Sequence, residues 1–201
     1  DPNRIIGCIG YPAATIVEPG VIRHIEGNRF PVGELDGSDS DRVRIVSGLL
    51  EQADFKSRVL DDIRSELWVK LWGNVAFNPI SALTHSTLVD ICQFLLTREL
   101  AAAMMTEAQV IGERLGARFR VPMERRIAGA EGVGKHKTSM LQDVEAGKPL
   151  EIDGMLGVVV ELAEVTGVEV PTLRALYACG RLLNKTIQED GVRIKAAPLA
   201  G

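Results

Sequence analysis

Lys70, Asn74 and Asn78 follow one another at intervals of four residues in an otherwise apolar stretch of the chain. On an α-helix this spacing places the three polar side chains on one face, about one turn apart. A lysine there can donate a proton and stabilise a developing negative charge, and each amide offers hydrogen-bond donors and an acceptor to a small polar ligand. Pro79 follows directly and would kink the helix. We therefore predict a ligand site along this face.

Each residue of this polar stripe (Lys70, Asn74 and Asn78) also has a purely structural interpretation. Lys70 could pair with Glu66 one turn earlier or reach water from the end of the helix, and the asparagines could bond loop backbone. A lysine and two amides inside an apolar helix must all be hydrogen-bonded. Their common phase favours one ligand site over three unrelated structural roles.

A second group of polar residues lies nearer the end of the chain. Ser139 starts a Ser-x-x-Gln sequence that fits a helix capping box with Gln142, and the same hydroxyl could contact a ligand. Glu151 comes just before a predicted helix, where the helix dipole favours a carboxylate. A carboxylate near Lys70 would also hold that lysine protonated. Asp153 is a further candidate of the same kind.

The first part of the chain, residues 1–60, reads as a small sheet with one helix. The helix begins within or just after Ser38–Asp41, which offers several N-capping side chains. Runs of β-favouring residues separated by turn residues predict the strands. These strands are Arg4–Ile9, Ala14–Val17, Val21–Glu26, Arg29–Val32 and Phe55–Leu60, the third and fourth forming a hairpin.

Residues 61–194 read as helices throughout, and residues 195–201 as a frayed tail. The longest predicted helix carries the polar stripe, and Thr97 is predicted to open the next. Gly116 and Gly147 supply stop signals. The later predicted helices are Arg98–Leu115, Pro122–Glu131, Ser139–Ala146, Asp153–Val165 and Pro171–Leu183.

Composition limits the class of protein. The 201 residues are 46% hydrophobic and 25% charged, which is typical of one large or two small soluble domains. The net charge of −4 argues against broad nucleic-acid binding, and no apolar run is long enough to span a membrane. The few, widely spaced cysteines and histidines predict reduced, mostly buried thiols in a cytoplasmic protein and no metal site.

The stretch Lys-x-x-x-Asn-x-x-x-Asn-Pro-Ile-Ser-Ala, preceded by Glu66-Leu-Trp, resembles the core motif of the ketopantoate reductase (2-dehydropantoate 2-reductase) family. The segment Thr138–Asp153 resembles the second signature of that family, and the resemblance runs from about Ile5 to about Leu183. It implies an NADPH-dependent reductase that converts 2-dehydropantoate to (R)-pantoate on the route to pantothenate and coenzyme A.

The resemblance also implies the fold and the roles of the matched residues. The fold would be α+β: residual strands of a Rossmann-type domain, then an all-helical substrate-binding domain like the C-terminal domain of 6-phosphogluconate dehydrogenase, through which the protein forms a homodimer. Lys70 would be the general acid. Asn74, Asn78 and Ser139 would contact the 2-keto acid substrate, and Glu151 would position the substrate or the cofactor. No metal is implied.

Two departures from the family pattern leave alternatives open. The chain has no Gly-x-Gly-x-x-Gly phosphate loop, so we expect a fragment that lacks most of its NADPH-binding domain and is inactive alone. Family members can carry another asparagine ten residues after Asn78, where this chain has Leu88. A related reductase of the same fold acting on another 2-keto acid, or a non-catalytic helical module that dimerises or binds a partner, therefore remain as alternatives.

Overall fold

The computed structural model describes residues 4–197. The chain divides into two compact units, the first ending at Leu67 and the second beginning at Trp68. Short strands followed by helices confirm the predicted α+β class. The strands are β1 (Ile6–Cys8), β2 (Ala13–Glu18), β3 (Val21–Glu26) and β4 (Val32–Glu34). The α-helices are α1 (Asp41–Gln52), α2 (Ile63–Thr84), α3 (Leu88–Gln93), α4 (Leu95–Arg114), α5 (Met123–Gly132), α6 (Ser139–Ala146), α7 (Val158–Thr166) and α8 (Pro171–Glu189).

Two small antiparallel sheets form the β part of the first unit, one of β1 and β4, the other of β2 and β3. Pro19 and Gly20 join β2 to β3, and the φ of +83° at Gly20 fits a type II turn. The predicted hairpin of Val21–Glu26 with Arg29–Val32 is therefore wrong. Arg29–Val32 instead runs parallel to the extended segment Lys56–Val59. Because short apolar runs can pair with one another in several ways, the turn residues decide which strands meet.

Helix α1 begins after Ser40, within the predicted capping segment. The hydroxyl of Ser40 accepts a hydrogen bond from the amide of Val43 at 3.2 Å. The same hydroxyl donates to the carboxylate of Glu34, which is only 4% exposed. Arg42 donates from Nε to that carboxylate at 2.7 Å and holds the pKa of Glu34 below its usual range. These bonds fix α1 against β4.

Helix α2 carries much of the core of the second unit. Trp72, Val75 and Phe77 on this helix are buried, and the indole Nε1 of Trp72 donates to the carbonyl of Met105 in α4 at 2.6 Å. Helix α4 in turn contacts both α7 and α8. The helix runs on through Pro79 to its end, so the whole polar stripe is held by one element. The expectation of one long helix through this stripe is confirmed.

The start of α4 requires a correction. Thr97 does not open this helix, which begins at Leu95. The hydroxyl of Thr97 instead donates a hydrogen bond to the carbonyl of Ile91 at 2.8 Å. The short helix α3, which the sequence did not lead us to predict, lies just before. Its first turn is fixed by Asp90, whose carboxylate accepts a hydrogen bond from the amide of Thr87 at 3.0 Å.

The later helices match the predictions more closely. Helix α6 has the predicted bounds, and α5 differs from its prediction by one residue at each end. The helix predicted from Asp153 instead opens with a π-helical turn, Asp153–Gly157, which precedes α7. Helix α8 continues to Glu189 instead of ending at Leu183.

The cysteines differ from expectation. Cys92 is buried, but Cys8 and Cys179 are exposed, so the prediction of mostly buried thiols is wrong. In residues 4–197 no helix combines the length and apolar character that crossing a membrane requires. Over that same range, no group of three or more His, Cys, Asp or Glu side chains is arranged to hold a metal ion. The predicted tail has no regular structure up to residue 197, and its remainder lies outside the described residues.

Candidate functional site

The polar stripe lies on one face of α2, in the predicted phase. Lys70 and Asn74 are half-buried, so their side chains border solvent, whereas Asn78 is only 6% exposed. Glu66, the alternative partner considered for Lys70, accepts a hydrogen bond from the hydroxyl of Tyr11 at 2.6 Å. The stripe thus leads from a partly open lysine to a buried amide along one side of a rigid helix.

Asn78, in the first motif, contacts a residue that lies just after the second motif. Its amide Nδ2 donates to the sulfur of Met155 at 3.6 Å, although the two residues are 77 positions apart. The amide of Met155 in turn donates to the carbonyl of Glu151 at 3.0 Å. The side chain of Met155, one helical turn after Glu151, therefore lies against the buried end of the polar stripe.

Ser139 is the first residue of α6, and the capping-box interpretation of its hydroxyl is wrong. The cap is Thr138, a buried residue whose hydroxyl accepts a hydrogen bond from the amide of Leu141 at 3.2 Å. Gln142, the expected partner in the box, donates instead to the carbonyl of Lys137 at 3.1 Å. Because Thr138 satisfies the helix end, the exposed hydroxyl of Ser139 is available to a ligand.

Glu151 and Asp153 have different surroundings. Glu151 is exposed, and the residue that follows it, Ile152, is fully buried and anchors this part of the backbone. Asp153 faces α8, where it accepts a hydrogen bond from the hydroxyl of Tyr177 at 2.6 Å and pairs with Arg181 at 3.3 Å. That hydrogen bond raises the pKa of Tyr177. Asp153 is therefore occupied with holding α8, which leaves Glu151 as the candidate carboxylate.

Asp143 is a carboxylate near this region that the sequence did not lead us to single out. It follows Ser139 by one helical turn on α6, so the two side chains share a face. Burial raises the pKa of Asp143, and the charge of Glu151 acts in the same direction while Lys148 opposes it. Asp143, one turn from Ser139 on α6, is thus a carboxylate on which the charge of Glu151 acts.

The chain has recognisable relatives. The family described as "Ketopantoate reductase PanE/ApbA C terminal" matches residues 62–184. A 2-dehydropantoate 2-reductase from Mesorhizobium japonicum is 52% identical over 182 residues, which are 90% of this chain and 56% of that protein. The chain therefore spans little more than half the length of this relative.

Solved structures show the same architecture. The crystal structure of 2-dehydropantoate 2-reductase from Methylococcus capsulatus matches with a TM-score of 0.84 and 29% identity, covering 91% of this chain and 64% of that one. D-mandelate dehydrogenase with NADH matches with a TM-score of 0.85 over 94% of this chain and 62% of that one, and at 16% identity this likeness concerns the fold. The motif order, the fold and the match over residues 62–184 lead to one conclusion: the chain belongs to the ketopantoate reductase family.

Proposed function

We propose that this chain forms the substrate-binding part of an NADPH-dependent reductase that converts 2-dehydropantoate to (R)-pantoate. The observation that carries the proposal is the hydrogen bond from Asn78 in the first motif to Met155, which lies two residues after the second motif. The name and 52% identity of the Mesorhizobium japonicum relative support the choice of substrate. A non-catalytic module would leave the asparagines in solvent or loops, and the burial of Asn78 speaks against it.

Each residue of the site has a role in this proposal. Lys70 donates a proton to the carbonyl oxygen of the substrate as that oxygen becomes an alkoxide. Asn74 and Asn78 bond the hydroxyl and carboxylate groups, because each amide both donates and accepts. Ser139 adds a contact to the carboxylate, and Glu151 orients the substrate. The half-buried position of Lys70 and the unoccupied hydroxyl of Ser139 at the start of α6 support these roles.

NADPH supplies the hydride when it is bound. Across residues 4–197 no strand leads through a Gly-x-Gly-x-x-Gly turn into a helix, so the described residues do not fit the pyrophosphate of a dinucleotide. We assign cofactor binding to a part of the enzyme outside this chain, with Glu151 as the contact from this side. The 201-residue chain should accordingly be inactive by itself.

We further propose that the enzyme is a cytoplasmic homodimer joined through the helical unit. Exposed apolar side chains on α7 and α8 support this, among them Val165, which is 78% exposed, and Leu182, which is 64% exposed. Burying such side chains between two copies would remove apolar surface from water. Sedimentation of the chain at several concentrations tests the dimer.

Leu88 favours a second candidate, a reductase of the same fold that acts on another 2-keto acid. Its side chain is half-buried, and its amide donates to the carbonyl of His136 at 3.0 Å. An apolar residue cannot bond a substrate hydroxyl as an asparagine would. A substrate with an apolar group at this end would then be preferred to 2-dehydropantoate.

A chimaera tests both candidates. This chain would replace the matched part of the Mesorhizobium japonicum reductase, and NADPH oxidation would be followed with 2-dehydropantoate and with other 2-keto acids. We expect turnover with 2-dehydropantoate and a loss of about 100-fold or more in kcat for K70M, the effect of removing a general acid. The matched control is K185M, an exposed lysine on α8.

The outcomes separate the alternatives. Turnover only with a different 2-keto acid would support the second candidate. A folded chimaera that binds NADPH but reduces no 2-keto acid would contradict both. Equal activity of K70M and K185M would remove Lys70 from the mechanism.

A further inference from the structure

Gly73, on the same helix as the polar stripe, lies directly against the guanidinium group of Arg126. A Cβ at Gly73 would be 2.4 Å from Nη2, 2.9 Å from Cζ and 3.1 Å from Nε of Arg126. These three atoms belong to one guanidinium group, so that group occupies the space that a side chain at position 73 would fill. Arg126 reaches this position from the first turns of α5 and is half-buried.

This guanidinium borders the polar stripe. Gly73 follows Lys70 by three residues and precedes Asn74, so it lies about 60° around the helix from Lys70. Lys70 and Asn74 are half-buried, whereas Gly73 is buried beneath Arg126. Arg126 therefore forms one flank of the open face on which the proposed proton donor lies.

We propose that Arg126 binds the carboxylate of the 2-keto acid substrate, and that position 73 is a glycine to admit the guanidinium; this rests on the function proposed above. In a 2-keto acid the carboxylate is bonded to the carbonyl carbon, so a group that holds the carboxylate beside Lys70 also aligns the carbonyl oxygen. A guanidinium has five donors in a fixed plane and pairs with a carboxylate through two parallel hydrogen bonds. A carboxylate is therefore the group that a guanidinium beside Lys70 is suited to recognise.

Partial burial strengthens such a pair, because charge-assisted hydrogen bonds are less screened away from water. The arrangement also supplies positive charge that the two asparagines of the polar stripe lack. Asn74 and Asn78 cannot neutralise a negative charge, whereas Arg126 and Lys70 together offer two positive charges to an anionic substrate. This pairing could not be predicted from sequence, since Arg126 and Gly73 are 53 positions apart and belong to no common motif.

The test compares an acid with its ester on the 201-residue chain. The probes are 3-methyl-2-oxobutanoate and its methyl ester, which keeps the carbonyl but has no carboxylate charge, and binding is measured by titration with NMR or calorimetry. We expect the chain to bind the acid at least about 10-fold more tightly than the ester. R126Q should lose this preference by weakening only the acid, and R126K should retain part of it. The matched control is R125Q, the exposed neighbouring arginine on α5.

G73A supplies an independent variant, because its methyl group must displace the guanidinium of Arg126 without removing the charge from the protein. We expect the acid to bind G73A about as weakly as R126Q, and circular dichroism to show that the helices are retained. An unchanged acid-over-ester preference in R126Q, or an equal loss for both probes, overturns the role of Arg126 while leaving the proposed function intact. If the unmodified chain binds neither probe, the proposed substrate site itself fails, and this inference fails with it.

Discussion

Removing the carboxylate of Glu107 should destabilise the second unit through helix α8. This helix starts at Pro171 after Val170, which provides no capping side chain. Instead, Glu107 on α4 accepts hydrogen bonds from the amides of Thr172 at 2.9 Å and Leu173 at 2.8 Å. A carboxylate from another helix thereby satisfies two of the first amides of α8 and faces the positive end of its dipole.

The magnitude follows from these two bonds. Leu173 is fully buried and Thr172 is half-buried, so water cannot fully replace the lost acceptors. A hydrogen bond to a charged group contributes about 1.5–3 kcal/mol, and losing a helix cap typically costs about 1 kcal/mol. We therefore expect E107A to lower the free energy of unfolding by about 2–4 kcal/mol. E107Q should lose about half as much, because its amide keeps only one acceptor oxygen.

Urea unfolding followed by tryptophan fluorescence measures this effect. Both tryptophans, Trp68 and Trp72, lie in the second unit, so the signal reports the unit that contains α8. The matched control is E113A on the same helix, where the exposed glutamate only bonds Gln109 at 2.7 Å, and we expect a change within about 0.5 kcal/mol. An E107A variant as stable as E113A, or an E107Q variant as unstable as E107A, would refute the capping argument.

Two further predictions concern α6. T138A should lower the free energy of unfolding by about 1 kcal/mol through loss of the cap. S139A should change it by less than about 0.5 kcal/mol but should weaken binding of 3-methyl-2-oxobutanoate. Urea unfolding and ligand titration of both variants check this, and S139A being less stable than T138A would contradict it. Burial raises the folded-state pKa of Asp143, so its ionised carboxylate opposes folding at neutral pH. At pH values above the folded-state pKa of Asp143, D143N should therefore raise the free energy of unfolding. This gain should vanish at pH values below the unfolded-state pKa of about 3.9. A gain that persists in acid would count against this reasoning.

The elements with strong local signals could be predicted from the sequence. Helix α2 followed from its apolar content and the spacing of the polar stripe, and α6 followed from its stop residues, although its predicted cap lay one residue too late. The sheet pairing could not be predicted, because the short strands near Val21 and Arg29 are equally plausible partners and only the Pro19-Gly20 turn distinguishes them. Helix α3 was missed because six residues give too little periodicity to detect.

The parts of the site that depend on long-range contacts could not be predicted from the sequence. The motifs named Lys70, Asn74 and Asn78, but nothing in them indicated that Met155 would lie against Asn78. The contact of Arg126 with α2 likewise depends on how α5 packs. The presence of a glycine in a sequence does not indicate which side chain will pack against it.

In the second motif, residues that stabilise the fold stand beside the residues that we propose to contact the ligand, and this arrangement is a physical argument for the proposed contacts. Thr138 caps α6 and Ile152 fills the core, so the stability of the segment does not depend on the side chains beside them. Asp153 is held by a hydrogen bond and an ion pair to α8. Within residues 4–197, the side chains of Ser139 and Glu151 make no comparable hydrogen bond or ion pair. A polar side chain that is held on a rigid backbone but stabilises nothing there is free to bind a ligand. Substitution of Ser139 or Glu151 should therefore affect ligand binding far more than folding, and substitution of Asp153 should do the opposite.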